Sequence, residues 1–310
     1  MQNKRDTAIN PFALFAVFIG SVIIALPIRV YQLLTIIEPG TGFWETKNAS
    51  VYILYAVAAL SIICCAAISF FCADRLGRTS APGGKKPVVG LIAFVVVAAL
   101  IVNAVGRYAD FSNIYFGYTG MSGMSVREYL TKTGAFSMAL EAFFAVISSV
   151  YFILYGITAI NGKSAAEYKL LAVSPVMWCI FRIIHRFMRE ISFLNVSELF
   201  FELCMIVFLM LFFMAFAQLT SKVNFKGIEW KLYAYGFPAA MFCLICFVPR
   251  LVVTILGKPS LLTDNSPIEY CDIAMAAFII GSLISRARIS EARKAPDREA
   301  QVDESLIGTD

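Results

Sequence analysis

Eight apolar runs, each about 17 to 27 residues long and with few charges inside them, recur along this chain, the fifth being only half apolar. A bilayer core of roughly 30 Å is crossed by ~20 such residues in a helix. Backbone groups inside lipid must satisfy one another within the segment, so each run reads as a helix. A membrane β-barrel would instead show alternating segments of ~10 residues, and no such pattern occurs. The runs cover 11–37, 51–73, 87–105, 135–160, 170–193, 196–220, 232–256 and 269–285. The expected fold class is therefore all-α, a polytopic integral membrane bundle of eight transmembrane helices. With 59% hydrophobic residues, 15% charged residues and a mean hydropathy of +0.76, the chain lacks the charged shell of a soluble domain.

Residues 1–288 then form one transmembrane domain, and 289–310, mixed in charge and poor in apolar residues, form a disordered cytoplasmic tail. Lysine and arginine in the loops divide sixteen to eight between the two sides, which places both termini in the cytoplasm of a cell membrane. Trp230 and Trp44 fall at opposite interfaces. The net charge of +5 sits at helix ends and so argues for headgroups rather than nucleic acid. Lys4 and Arg5 precede a first run too long for a cleavable leader, which reads as a retained helix. The longest stretch outside the membrane is 106–134, on the external side, where Ser125 and Glu128 have the spacing of a capping box. The eight cysteines lie in or beside apolar runs, as buried thiols do, and Cys243 with Cys246 reads as packing.

Charge within the runs is not random. Every second run carries an arginine near its far end: Arg29, Arg107, Arg182 and Arg250. Most alternate runs carry a carboxylate near their start: Glu141, Glu198 with Glu202, and Asp272. In an up-and-down bundle these groups share one depth, on the outer side. Arg182, His185, Arg186 and Arg189 fall on one helical face, with Ile183, Ile184, Phe187, Met188 and Ile191 opposite. A short turn around Asn195 brings Glu198 and Glu202 within reach of that basic face. Arg107 is expected to pair with Glu141, two turns inside its run. Arg29, near a helix end, is expected to snorkel to the interface.

Two readings compete. Charges in hydrocarbon cost several kcal/mol unless paired, so the layer can be a set of ion pairs locking the helices. Arginine forks also suit carboxylate and phosphate, so it can be a vestibule for an anionic or zwitterionic ligand, with Glu141 as a proton-coupling carboxylate. His185, the sole histidine, has no second ligand in view for a metal. No phosphate-binding glycine loop, paired-histidine zinc motif or nucleophile elbow is present, so neither a cofactor nor an enzymatic activity is expected. Arg29 to Arg182 and Arg107 to Arg250 are nearly equal separations, the spacing of a 4+4 internal duplication.

The stretch 29–43, which opens on Arg29 and ends on Phe43, resembles the start of an uncharacterised family of bacterial polytopic membrane proteins common in Gram-positive anaerobes. Ser174, Pro175 and Trp178 with the following Arg182 are similar to a second segment of that family. The resemblance implies a bacterial inner-membrane protein and brings no activity with it. The functional expectation is a small-molecule transporter whose ligand meets Arg182, Arg186, His185, Glu198, Glu202, Arg29 and Glu141. The alternative is a non-catalytic scaffold or accessory subunit of a membrane complex. Membrane lipids are its surroundings in either case.

Overall fold

A computed structural model of the chain describes residues 12–37, 48–72, 84–118, 123, 125–188, 196–221, 228–262 and 268–287. Among these residues the structure is helical: α1 (Phe12–Thr35), α2 (Ala49–Phe71), α3 (Pro87–Phe116), α4 (Val126–Lys132), α5 (Ala135–Asn161), α6 (Ser174–Met188), α7 (Val196–Thr220), α8 (Ile228–Ile255) and α9 (Tyr270–Ala287). Eight stretches are long and apolar enough to cross a membrane: α1–α3, α5, α7–α9, and α6 with the single-turn 3₁₀ segment Leu171–Val173 before it. Residues 288–310, the turn at Asn195, Arg189, Ile191 and all of 38–47, Trp44 included, lie outside the described residues.

Local chemistry sets the helix ends. Asn48 caps α2, its side chain accepting from the Ser50 amide at 3.0 Å. Proline opens α3, where its missing N–H is no loss. Ser125 caps α4 as its spacing predicted, accepting from the Glu128 amide at 3.3 Å. Gly134 and Gly162 bracket α5 with φ of 72° and 71°, a left-handed turn that residues with a Cβ resist.

α3 corrects the expected boundary. The run was expected to end at 105, with 106–134 outside the membrane, but the helix continues unbroken to Phe116. Its 30 residues span about 45 Å, more than a bilayer core. Arg107 therefore sits on a helix face instead of in a loop, and it is buried. The turns beyond it carry Tyr108, Phe111 and Tyr115 as a stripe of rings, with centroids 6.4 and 6.0 Å apart, in the style of interfacial aromatics.

Consecutive long helices run up and down. α1 packs on α2 and α8, α3 along α5, and α5–α8 in sequence against one another. α9 fills the centre: its Phe278 ring meets Phe152 and Tyr155 of α5 and Phe216 of α7. The Cys271 thiol donates to the Ala99 carbonyl of α3 at 3.1 Å. Large apolar side chains within the long helices, such as Ile23, Ile63, Leu91 and Phe143, point outward and are exposed. A soluble fold buries such residues, whereas lipid accepts them.

α3 and α5 approach closely at Gly90 and Gly156, the small-residue contact that membrane helices favour. A Cβ added at Gly90 would stand 2.6 Å from Ile160 Cγ1 and 2.8 Å from the Gly156 carbonyl oxygen. The carbonyl is backbone and cannot move aside. Gly90→Ala is expected to destabilise the bundle by about 1–3 kcal/mol, read as a lower melting temperature in detergent. Gly20→Ala is the control, because its Cβ would meet nothing within 4 Å.

Candidate functional site: a buried ion network across eight helices

The polar groups gather at the end of the bundle where α1, α3, α6 and α8 finish and α2, α5, α7 and α9 begin. Arg29, Glu141, Arg182 and Glu202 each lie six residues from a helix terminus, about 9 Å along the axis. Every long helix, or the residue leading into it, contributes one member or more.

The network is continuous. Glu141 Oε1 accepts from Arg107 Nε at 3.1 Å, and Arg107 Nη2 donates to Glu269 Oε1 at 2.5 Å. Glu269 Oε2 accepts from Arg182 Nη2, which also donates to Asp272 Oδ1 at 2.9 Å. Arg186 Nη2 reaches Glu269 Oε1 at 3.4 Å and Glu202 Oε2 at 2.9 Å. Arg250 Nη2 donates to Glu202 Oε1 at 2.6 Å and lies 3.6 Å from Glu198 Oε2. Arg29 Nη2 stands 3.7 Å from Glu198 Oε1, and its Nη1 donates to Gln32 Oε1 at 3.4 Å. Gln32 Nε2 in turn donates to Ser50 Oγ of α2 at 3.2 Å.

Five arginines (Arg29, Arg107, Arg182, Arg186, Arg250) thus meet five carboxylates (Glu141, Glu198, Glu202, Glu269, Asp272), all of them buried. His185 is fully buried on the same face of α6 as Arg182 and Arg186. Two rings extend the layer: Arg29 lies over Phe201 at 4.9 Å and Arg182 over Trp178 at 5.3 Å. The Trp178 indole N–H donates to Asn103 of α3 at 3.4 Å. On the opposite face of α6, Ile184, Phe187 and Met188 are exposed as the periodicity predicted, whereas Ile183 is half-buried against the core.

Three expectations change. Arg29 does not snorkel: it is 3% exposed, because Glu198 and the Phe201 face hold it inside. Arg182 does not pair with Glu198 or Glu202 across the α6–α7 hairpin. It turns to α9, while Arg186, one turn on, takes Glu202. Glu269, which the sequence reading left outside the site, bridges Arg107, Arg182 and Arg186. Its spacing of three from Asp272 puts both on one helical face, the signal that was available for it. The expected Arg107–Glu141 pair is present.

Among the described residues, two spaces adjoin the network. The one among Arg29, Glu198 and Arg250 has no room for a water molecule. A cleft of about 230 Å³ opens between α3 and the start of α9, lined in part by Asn103, Gly106, Arg107, Asp110, Glu269 and Tyr270. Among the described residues, no group of three or more His, Cys, Asp or Glu is arranged to hold a metal ion.

Fold and site together define a multi-pass α-helical membrane protein with a buried ion network through one end of its bundle. No family model, curated protein or solved structure matches the chain.

Proposed function

We propose that the chain is a membrane carrier for a small anionic or zwitterionic molecule, non-enzymatic, with the ion network as its binding and gating layer. The observation behind this reading is the cleft that reaches Arg107 and Glu269, where outside space meets the buried charges. A network of this size is a poor route to stability, since apolar residues of equal volume in place of a buried ion pair are often neutral or stabilising by about 1–4 kcal/mol. Ionisable groups at such depth are characteristic of ligand and ion paths. The loop charge count supports termini in the cytoplasm of the plasma membrane, so the cleft faces outward in this reading. A bacterial origin and a 4+4 duplication belong to the same proposal.

The second reading, a scaffold or accessory subunit, is favoured by the equal number of buried arginines and carboxylates in the network among the described residues and by the filled space around Arg29. Thermal unfolding of the detergent-purified protein with inorganic phosphate, glutamate, pyruvate and alanine separates the two. A ligand held only by the folded state, present at a hundred times its Kd, stabilises by about 2.7 kcal/mol. The carrier reading expects one of the four to raise the melting temperature, and Arg107→Ala to abolish the rise. No shift with any of them favours the scaffold.

A further inference from the structure

Resting on the carrier reading, we propose that the α3–α9 cleft binds a small oxyanion, carboxylate or phosphate in class, on Arg107, and that one proton travels with it on Glu141.

Arg107 is the network arginine that lines the cleft. Its Nε serves Glu141 and its Nη2 serves Glu269, but its Nη1 faces Asp110 at 3.9 Å, too far for a hydrogen bond. That nitrogen is the donor available to an oxyanion in the cleft. Gly106, on the adjacent wall, keeps the approach open: a Cβ there would meet nothing within 4 Å.

Charge balance then selects the proton. Among the described residues the five buried arginines and five buried carboxylates of the network match in formal charge, so a bound monoanion adds one negative charge beside buried groups. Protonating a carboxylate removes that charge. Glu269 is shared by three arginines, and Glu198 and Glu202 by two each. Glu141 and Asp272 each have a single arginine, and only Glu141 depends on Arg107, the group the anion would engage. Glu141 is fully buried, and its Oε2 has no hydrogen-bond partner among the described residues.

The charged and titratable groups around Glu141 fit this role. α3 presents Arg107, with Asp110 one turn beyond. α6 presents Arg182 and the Cys179 thiol, and His185 is buried one turn beyond Arg182. The α9 end presents Glu269, Asp272 and the Cys271 thiol. α4 contributes Glu128 and Lys132, which pair with each other at 3.0 Å on the exposed surface. A proton from the aqueous phase on the entry side adds to Oε2 as the anion takes Arg107, and it leaves to the far side with the anion. Affinity should rise about tenfold per pH unit lowered, as long as Glu141 is charged in the free protein.

The test is uptake into proteoliposomes holding a pH-sensitive dye, with the membrane potential clamped and labelled phosphate, glutamate, pyruvate and alanine as probes. An anion should enter wild type with acidification of the lumen and accumulate about tenfold per inward pH unit. Glu141→Gln, which copies the protonated form, should still exchange that anion across the membrane but neither accumulate it nor acidify the lumen. Gly106→Leu, which fills the cleft, should block uptake while the melting temperature holds. Anion uptake without acidification, or uptake of alanine alone, overturns the proton coupling and leaves the carrier reading standing. Uptake unchanged in Gly106→Leu overturns the cleft as the binding place. No uptake of any probe by wild type overturns the carrier reading and this inference with it. The wild-type dye signal decides the coupling even if Glu141→Gln fails to fold.

Discussion

Glu269→Ala is expected to be among the most damaging single substitutions in the chain. This carboxylate sits between Arg107, Arg182 and Arg186, which come from two different helices and approach its two oxygens. Its removal leaves three guanidinium groups facing one another with an uncompensated positive charge. Breaking a buried ion pair from one side costs about 3–5 kcal/mol, because the surviving charge stays desolvated. Whole folds are stable by only ~5–15 kcal/mol, so this is a large share. The expected readout is a melting temperature in detergent far below wild type, or loss of the monodisperse species. Glu269→Gln keeps the shape and one acceptor and should fall between the two. The exposed Glu167→Ala is the control and should stay within about 0.5 kcal/mol of wild type. A Glu269→Ala protein that melts with wild type would show that α9 is not tied to the network through this residue.

Arg182→Ala carries the second large effect, and its rescue tells which pairing is real. One nitrogen, Nη2, serves both Glu269 and Asp272, while Nε and Nη1 have no acceptor among the described residues. Truncation leaves Asp272, 1% exposed, without its arginine, at a cost of about 3–5 kcal/mol. Adding Asp272→Asn removes the stranded charge, so the double variant should regain part of the loss, with a coupling of about 0.5–3 kcal/mol in the cycle. Adding Glu198→Gln should give no rescue, since Glu198 belongs to Arg29 and Arg250. Rescue by Glu198→Gln and none by Asp272→Asn would restore the hairpin pairing that sequence order suggests.

That contrast marks where sequence reading stops. The α6 face was legible because Arg182, His185 and Arg186 follow a helical period, and all three are buried as that period requires. The Arg107–Glu141 pair was legible because both lie at corresponding depths of neighbouring helices. Arg29 was misjudged because the same position near a helix end suits a snorkelling side chain and a buried one equally. What separates them is a partner from α7, 169 residues away, with the Phe201 ring beneath it. The turn between α6 and α7 made Glu198 and Glu202 look like partners of Arg182, yet the central α9 outcompeted them.

The sequence by itself determined the helices, their number, the end of the bundle at which charge collects, and the residue types that meet there. Those follow from hydrophobic length and from backbone hydrogen bonds that each helix closes within itself. Only the tertiary structure decided which arginine holds which carboxylate and that Glu269 is the hub. An ion pair depends on distances of a few ångströms between helices that may be far apart in the chain, and helix packing alone sets those distances.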